Sequence, residues 1–243
     1  MGGQLEWLLG FSDRALATSG EGLALARELA HPLSLQLALL YRSSLHLDRG
    51  EPDEALQELE AAEVLVAEQR LGFVLEPRFL RGGVLVRQGA VDDGIAVLRE
   101  GLDTALGRRI SRPYGLLLLA EGLIRRSEFI EALAAVGEGF QSIESTGQHQ
   151  WEAELYRLKA LTLLGQNDLQ ESRHALTEAL QVSRNQQAIV YELRAATRLA
   201  RLMAELGRRA DAHDLLGTLY GRFTEGFDTG DLKEAKALLD ELR

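Results

Sequence analysis

Thirteen residues beginning at Gly50, GEPDEALQELEAA, return four more times along the chain: GAVDDGIAVLREG from Gly89, SEFIEALAAVGEG from Ser127, NDLQESRHALTEA from Asn167 and GRRADAHDLLGTL from Gly207. Aligning the copies on the small residue five positions after the opener gives Ala55, Gly94, Ala132, Ser172 and Ala212, at intervals of 39, 38, 40 and 40 residues. One more period backward reaches Ala15, inside SDRALATSGEGLALAREL, a sixth and partial copy. A fixed period of this size is the signature of stacked supersecondary units, none of which can bury its apolar face alone. The units are helical: Leu, Ala, Glu and Arg dominate, 46% of the residues are apolar, and strand formers are too few for a large sheet.

Each small residue is followed four positions later by an apolar one (Leu59, Leu98, Val136, Leu176, Leu216), and three after that by Ala62, Gly101, Gly139, Ala179 or Leu219. That is one face of a helix. Twelve residues before the anchor lies a second small set, Ser43, Gly82, Ala120, Ala160 and Ala200, centred in another apolar run. Each unit is therefore a helix pair whose facing small residues let the backbones approach. The spacing resembles the tetratricopeptide repeat, without its signature Trp and Pro and with a period above its usual 34, so the helices are expected to be longer. HEAT and armadillo repeats share the period but lack the small–turn–small spacing.

The expected fold is all-α: a tetratricopeptide-like helical-repeat solenoid, a right-handed superhelix of antiparallel helix pairs forming one domain over 1–243. Its divisions are a partial repeat at 1–32, repeats at about 33–71, 72–110, 111–148, 149–186 and 187–225, and a capping helix at 231–243. Helices are expected at 12–30, 33–48, 52–70, 74–88, 91–106, 113–126, 128–145, 150–165, 168–184, 187–206, 209–223 and 231–242. TEGFDTG at 224–230 reads as a loop, with Asp228 or Thr229 capping the last helix. The first repeat looks cut short, which leaves Trp7 and Leu8 poorly packed and offers an apolar strip for a homodimer.

Formal net charge is −10 with the signs interleaved, which argues against nucleic acid and anionic membranes as partners. Arginines in GRRISR at 107–112 and RRS at 125–127 fall near helix ends, where they complement the dipole. The absence of cysteine removes thiolate nucleophiles, disulfides and Cys-based zinc sites, and the apolar stretch YGLLLLA is too short to span a bilayer. The N-terminus lacks the basic region of a signal peptide, so a cytoplasmic location is expected.

Three segments, WEAELYRLKALTLL at 151–164, ELRAATRLARL at 192–202 and LYGRFTEGFDTGDLKEAKALLDEL at 219–242, resemble the C-terminal tetratricopeptide region of bacterial class III adenylate/guanylate cyclase proteins. ALARELAHPLSL at 24–35 and RPYGLLLLAEGL at 112–123 extend the likeness over nearly the whole chain, with departures at Gly22 and Ala160. In that family a cyclase domain and a STAND-like ATPase precede the repeats. The resemblance implies a regulatory or scaffold segment whose partners are proteins, peptides or upstream domains of the same polypeptide.

No catalytic chemistry is legible. There is no P-loop, no Gly-x-Ser-x-Gly turn, and none of the five histidines makes the i, i+4 pair of a helical zinc site. ESRH at 171–174 is a single Glu-x-x-His where a carboxylate-bridged metal bundle needs two. The chain is thus expected to be non-enzymatic, with no cofactor and no metal.

What remains is the concave wall made by the first helices. In the tetratricopeptide register its inward positions are Glu76, Phe79, Arg87, Tyr114, Glu121, Arg125, Glu154, Arg157, Arg194, Thr197 and Arg201. Arginines so placed suit acidic groups of a peptide through paired N–H donors. A small-molecule ligand that controls an upstream ATPase from the same groove is the alternative. Equally, Glu121 and Arg125 are spaced as a simple surface ion pair. Arg42, Arg81 and Lys159 precede the small first-helix residues, within reach of carboxylates on the neighbouring helix.

Overall fold

Each copy of the repeated stretch opens with a residue in the left-handed region: Gly50 (φ +82°), Gly89 (+94°), Ser127 (+60°), Asn167 (+62°) and Gly207 (+79°). The next N–H reaches five residues back, from Glu51 to His46, Glu128 to Leu123, Asp168 to Leu163 and Arg208 to Met203, each at 2.9 Å. These bonds satisfy the carbonyls of the last turn and stop the preceding helix. Glycine adopts this geometry freely, whereas serine does so at a steric cost of about 1 kcal/mol.

The computed structural model describes residues 2–73, 75–104, 107 and 111–243. Among them are thirteen α-helices and no strand: α1 (Gly2–Leu8), α2 (Ser12–Glu28), α3 (Pro32–Arg49), α4 (Pro52–Gln69), α5 (Pro77–Gln88), α6 (Val91–Asp103), α7 (Arg112–Arg125), α8 (Phe129–Thr146), α9 (Glu152–Gly165), α10 (Leu169–Asn185), α11 (Ile189–Glu205), α12 (Arg209–Tyr220) and α13 (Gly230–Leu242). A 3-10 turn, His149–Trp151, leads into α9. The fold is a tetratricopeptide-like helical repeat. All twelve helices expected from the period are present, within about three residues at each end. The expected end of one at 106, and Arg108 and Arg109 of the basic cluster, lie outside the described residues.

All four prolines of the chain stand in the first turn of a helix, α3, α4, α5 or α7, where a missing N–H costs nothing. The helices pack in pairs, α3 on α4 through α11 on α12, and the small residues sit where they cross. A Cβ on Gly82 would lie 2.5 Å from Leu98 Cγ, so nothing larger fits. Where the small residue is serine, its hydroxyl donates to the facing carbonyl, Ser43 to Ala55 at 2.7 Å and Ser172 to Ala160 at 2.9 Å. Arg42 and Arg81 do reach the second helix, pairing with Glu58 at 2.7 Å and Glu63 at 2.5 Å.

The N-terminus departs from expectation. Helix α1 packs on α2 and also touches both α3 and α11, so α1, α3, α5, α7, α9 and α11 form a closed inner ring. Trp7 is only 3% exposed, with its ring edge-on to Tyr191 at 5.6 Å. Leu8 is half-buried in the same cluster, while Leu5 and Leu9 are exposed. The missing partner of this partial repeat comes from the far end of the chain, which no periodic pattern announces.

The loop before α13 completes the closure. The Glu225 carboxylate accepts the N–H groups of Asp13 and Arg14 at 2.9 and 3.0 Å, capping α2 in place of its own N-terminal residue Phe11. Asp13 in return accepts the Gly226 N–H at 3.2 Å. Buried Arg49 donates to the Ser12 carbonyl at 2.9 Å and pairs with Glu51. The expected cap of α13 is different: Thr229 occupies the capping position, but its hydroxyl donates to the Gly226 carbonyl at 2.7 Å, and neither it nor Asp228 caps the helix through a side chain. No helix among the described residues is long and apolar enough to cross a membrane.

Two outcomes follow for stability. Trp7→Ala should cost about 3–5 kcal/mol in urea denaturation, and hydrogen exchange should rise together in α1–α2 and α11–α13. A rise confined to α1–α2 would contradict the closed ring. Ser127→Gly should raise stability by about 0.5 kcal/mol, since it removes left-handed strain at some gain in unfolded-state entropy.

Candidate functional site: two cavities on the inner ring

The inward residues expected from the register all lie on first helices or at their starts, but they do not line one groove. They divide between two cavities. Arg87, Glu121, Arg125, Arg157, Arg194 and Thr197 line a cavity of about 240 Å³. Glu76, Phe79 and Tyr114 line another of about 220 Å³. Glu154 lies beneath the first, and Arg201 stands outside both, 3.7 Å from Glu234. Phe79 is an inner residue but a buried one: its ring is wedged against Gly101 and Gly115, where an added Cβ would come within 3.1 and 2.5 Å of it.

The first cavity is rich in arginine. Besides the expected residues it takes in Asp48, Arg49, Arg198, Asp231 and Glu234, so six guanidiniums face four carboxylates in a chain of net charge −10. Asp48 stands at the register position of Arg87 and Arg125, five residues after the small residue of its helix, so the period could have found it; Asp231 and Glu234 belong to α13, outside the first-helix register.

Most guanidiniums here are anchored. Arg87 donates to the Leu47 carbonyl and, at 3.2 Å, to the Glu121 carboxylate on the neighbouring inner helix. Arg194 donates to the Asp48 carbonyl at 2.6 Å, to Glu154 at 3.2 Å and to Asp231 at 2.9 Å. Two parallel bonds of 2.9 Å join Arg157 to Glu154. Arg125 does form the i, i+4 pair with Glu121, at 3.3 Å, and Arg198 meets Glu234 at 3.3 Å. These last two arginines are the most exposed of the set.

Burial and charge pull the carboxyls in opposite directions. Burial alone would raise Glu121, but the Arg87 guanidinium outweighs it and holds the group at about 2. Glu154 is likewise buried, and Arg157 and Arg194 keep it below the ordinary range. At Asp48 burial wins. Arg87 and Arg194 face it but spend their donors on main-chain carbonyls and other carboxylates, and Glu154 and Asp231 add repulsion, so its carboxyl is pushed up to about 7. Below about pH 7 Asp48 is mostly protonated, which leaves the guanidiniums of this cavity one carboxylate fewer to balance them.

The second cavity lies at the N-terminal ends of α5 and α7. Leu40, Tyr41, Leu80 and Trp151 join Phe79 and Tyr114 in its wall. Trp151 and Tyr114 stack with centroids 4.7 Å apart. Glu76 caps α5, accepting the Arg78 N–H at 3.2 Å, and takes the Thr104 hydroxyl at 2.6 Å.

No family model matches the chain, and no curated protein does. Solved structures do. NprR in complex with its cognate peptide NprX aligns over 95% of this chain and 66% of its own, at 15% identity and a TM-score of 0.66. A chain of the APC/C hetero-tetramer Cut9–Hcn1 aligns over 99% of this chain and 41% of its own, at 15% identity and a TM-score of 0.61. A signal-transduction ATPase with numerous domains from Pyrococcus horikoshii, which carries a tetratricopeptide repeat sensor, aligns over 95% of this chain and 33% of its own, at 13% identity and a TM-score of 0.55. The chain thus spans less than two thirds of each. Likeness at such identity establishes the fold.

Asp48 supplies a pH test. Between about pH 4, where an unfolded aspartate ionises, and its folded value near 7, the folded chain keeps a proton that the unfolded chain has lost. Stability therefore falls as pH rises through that window. Asp48→Asn should raise the melting temperature most at pH 8, less at pH 5 and little at pH 4; equal shifts at pH 5 and pH 8 would show that Asp48 is already ionised at pH 5.

Proposed function

We propose that the protein is a non-catalytic interaction module that receives an acidic group of a protein or peptide partner in the arginine cavity. The observation that carries this reading is the gathering of six guanidiniums around one cavity, two of them partly exposed at its edge, in an otherwise acidic chain. Partly exposed Arg125 and Arg198, paired with Glu121 and Glu234 at 3.3 Å each, stand at its edge, while the buried arginines hold the frame. NprR, which shares the fold, was solved with a peptide bound.

The reading extends to a regulatory segment of a cytoplasmic bacterial signalling protein of the nucleotide cyclase–ATPase type. Its support is the sequence resemblance and the sensor role named for the repeats of the Pyrococcus ATPase. Coding sequence upstream of Met1 for an ATPase or cyclase domain is the direct check. The alternative, a sensor whose small ligand controls such an ATPase, draws on the same likeness. A homodimer through the N-terminal pair now rests on exposed Leu5, Leu25 and Leu29 rather than on Trp7, and light scattering decides it.

Fluorescence anisotropy with short labelled peptides ending in acidic residues tests the central claim. The double reversal Arg125→Glu/Arg198→Glu should weaken acidic-peptide binding about tenfold, and added salt should weaken wild-type binding. Equal binding of acidic and neutral peptides, or undiminished binding by the variant, would count against it.

A further inference from the structure

The second cavity has a chemistry opposite to the first. Among the described residues its lining holds one carboxylate, Glu76, and no lysine, arginine or histidine. Its wall is mostly apolar and aromatic. It is also held open by fixed parts: Gln4 of α1 donates to Ser44 of α3 at 3.1 Å, Glu76 is locked by Arg78 and Thr104, and Gln186 donates to the His149 carbonyl at 2.8 Å, pinning the turn that carries Trp151.

Two groups in this wall are left over. The indole N–H of Trp151 and the hydroxyl of Tyr114 are buried and have no hydrogen-bond partner among the described residues. A buried donor without an acceptor is costly and rare in folded proteins. Stacking on Tyr114 explains why the Trp151 ring is present but not why the residue carries a donor, since phenylalanine would stack as well.

We infer that this cavity is a binding site for a compact, uncharged aromatic molecule bearing one hydrogen-bond acceptor, which the Trp151 N–H meets. Size supports it: an apolar cavity of about 150 Å³ holds a benzene ring, and the 220 Å³ here suits a two-ring compound. Charge supports it too, because the buried carboxylate of Glu76 disfavours an anion. The site shares no lining residue with the arginine cavity, so it stands or falls separately from the acidic-partner reading.

Quinoline and indole, both fused two-ring compounds, separate the possibilities. Quinoline offers a ring-nitrogen acceptor, and indole offers only a donor. The chain has two tryptophans, so nitrogen–proton correlation spectra show two indole N–H signals, assigned with Trp151→Phe. Millimolar quinoline should shift the Trp151 signal downfield and leave the Trp7 signal in place. It should bind about fivefold or more tighter than indole. Trp151→Phe should abolish that preference while acidic-peptide binding is unchanged, and Arg125→Glu/Arg198→Glu should leave quinoline binding intact. An unmoved Trp151 signal, or equal affinities of wild type for the two compounds, would overturn the proposal.

Discussion

One guanidinium ties the two ends of the repeat together. Arg194 on α11 bonds the last turn of α3, the Glu154 carboxylate on α9 and Asp231 at the start of α13, and it stands 5.1 Å over the ring of Trp7 on α1. A buried charge is tolerated only when its donors are satisfied, and removing one partner of such a group typically costs about 3–5 kcal/mol. Four helices from both ends of the sequence must therefore be in place at once. An open solenoid is stabilised by neighbour on neighbour, and its terminal units fray independently. Here the terminal pair and the C-terminal helices share a core, with Trp7, Ala15 and Leu45 buried among Val190, Leu193, Phe223 and Leu232.

The inner ion pairs repeat this logic on a smaller scale. Arg87 on α5 reaches Glu121 on α7, and Arg194 on α11 reaches Glu154 on α9. Each pair staples adjacent inner helices at a level where small residues, which set the packing of the outer layer, provide no side-chain bulk. Because the staples use carboxylates from within the ring, the same residues that hold the wall also fix its potential. Asp48 is the exception: among the described residues no guanidinium binds its carboxyl, and it carries the cost of burial.

The period made the fold legible because each helix pair has the same local problem to solve. The left-handed openers, the facing small residues and the apolar face all recur in the sequence as they do in space, down to Ser43 and Ser172, whose hydroxyls replace a methyl and bond the opposite carbonyl. Which helices carry the inner wall was legible for the same reason, although Arg201 stands outside both cavities and Glu154 beneath one. What escaped was everything between units far apart in sequence: the capping of α2 by Glu225, the burial of Trp7, and the entry of Asp231 and Glu234 into the arginine cavity. Such contacts occur once and leave no pattern. Trp151 escaped for another reason, since it precedes its helix on a 3-10 turn and so falls outside the helical register.

Closure changes what a concave wall can recognise. In an open superhelix an extended peptide lies along the inner helices and several repeats read it in turn. With α1 seated between α3 and α11, a chain following the full inner wall would have to displace Trp7 from the core it shares with Tyr191. The two cavities described on the inner wall, about 240 and 220 Å³, are each large enough for one side chain, one chain terminus or one small molecule. On the reading proposed for the two cavities, recognition in this ring is set by the chemistry of a single group at each, cationic walls at one and aromatic walls at the other, rather than by the length of sequence that a groove could read.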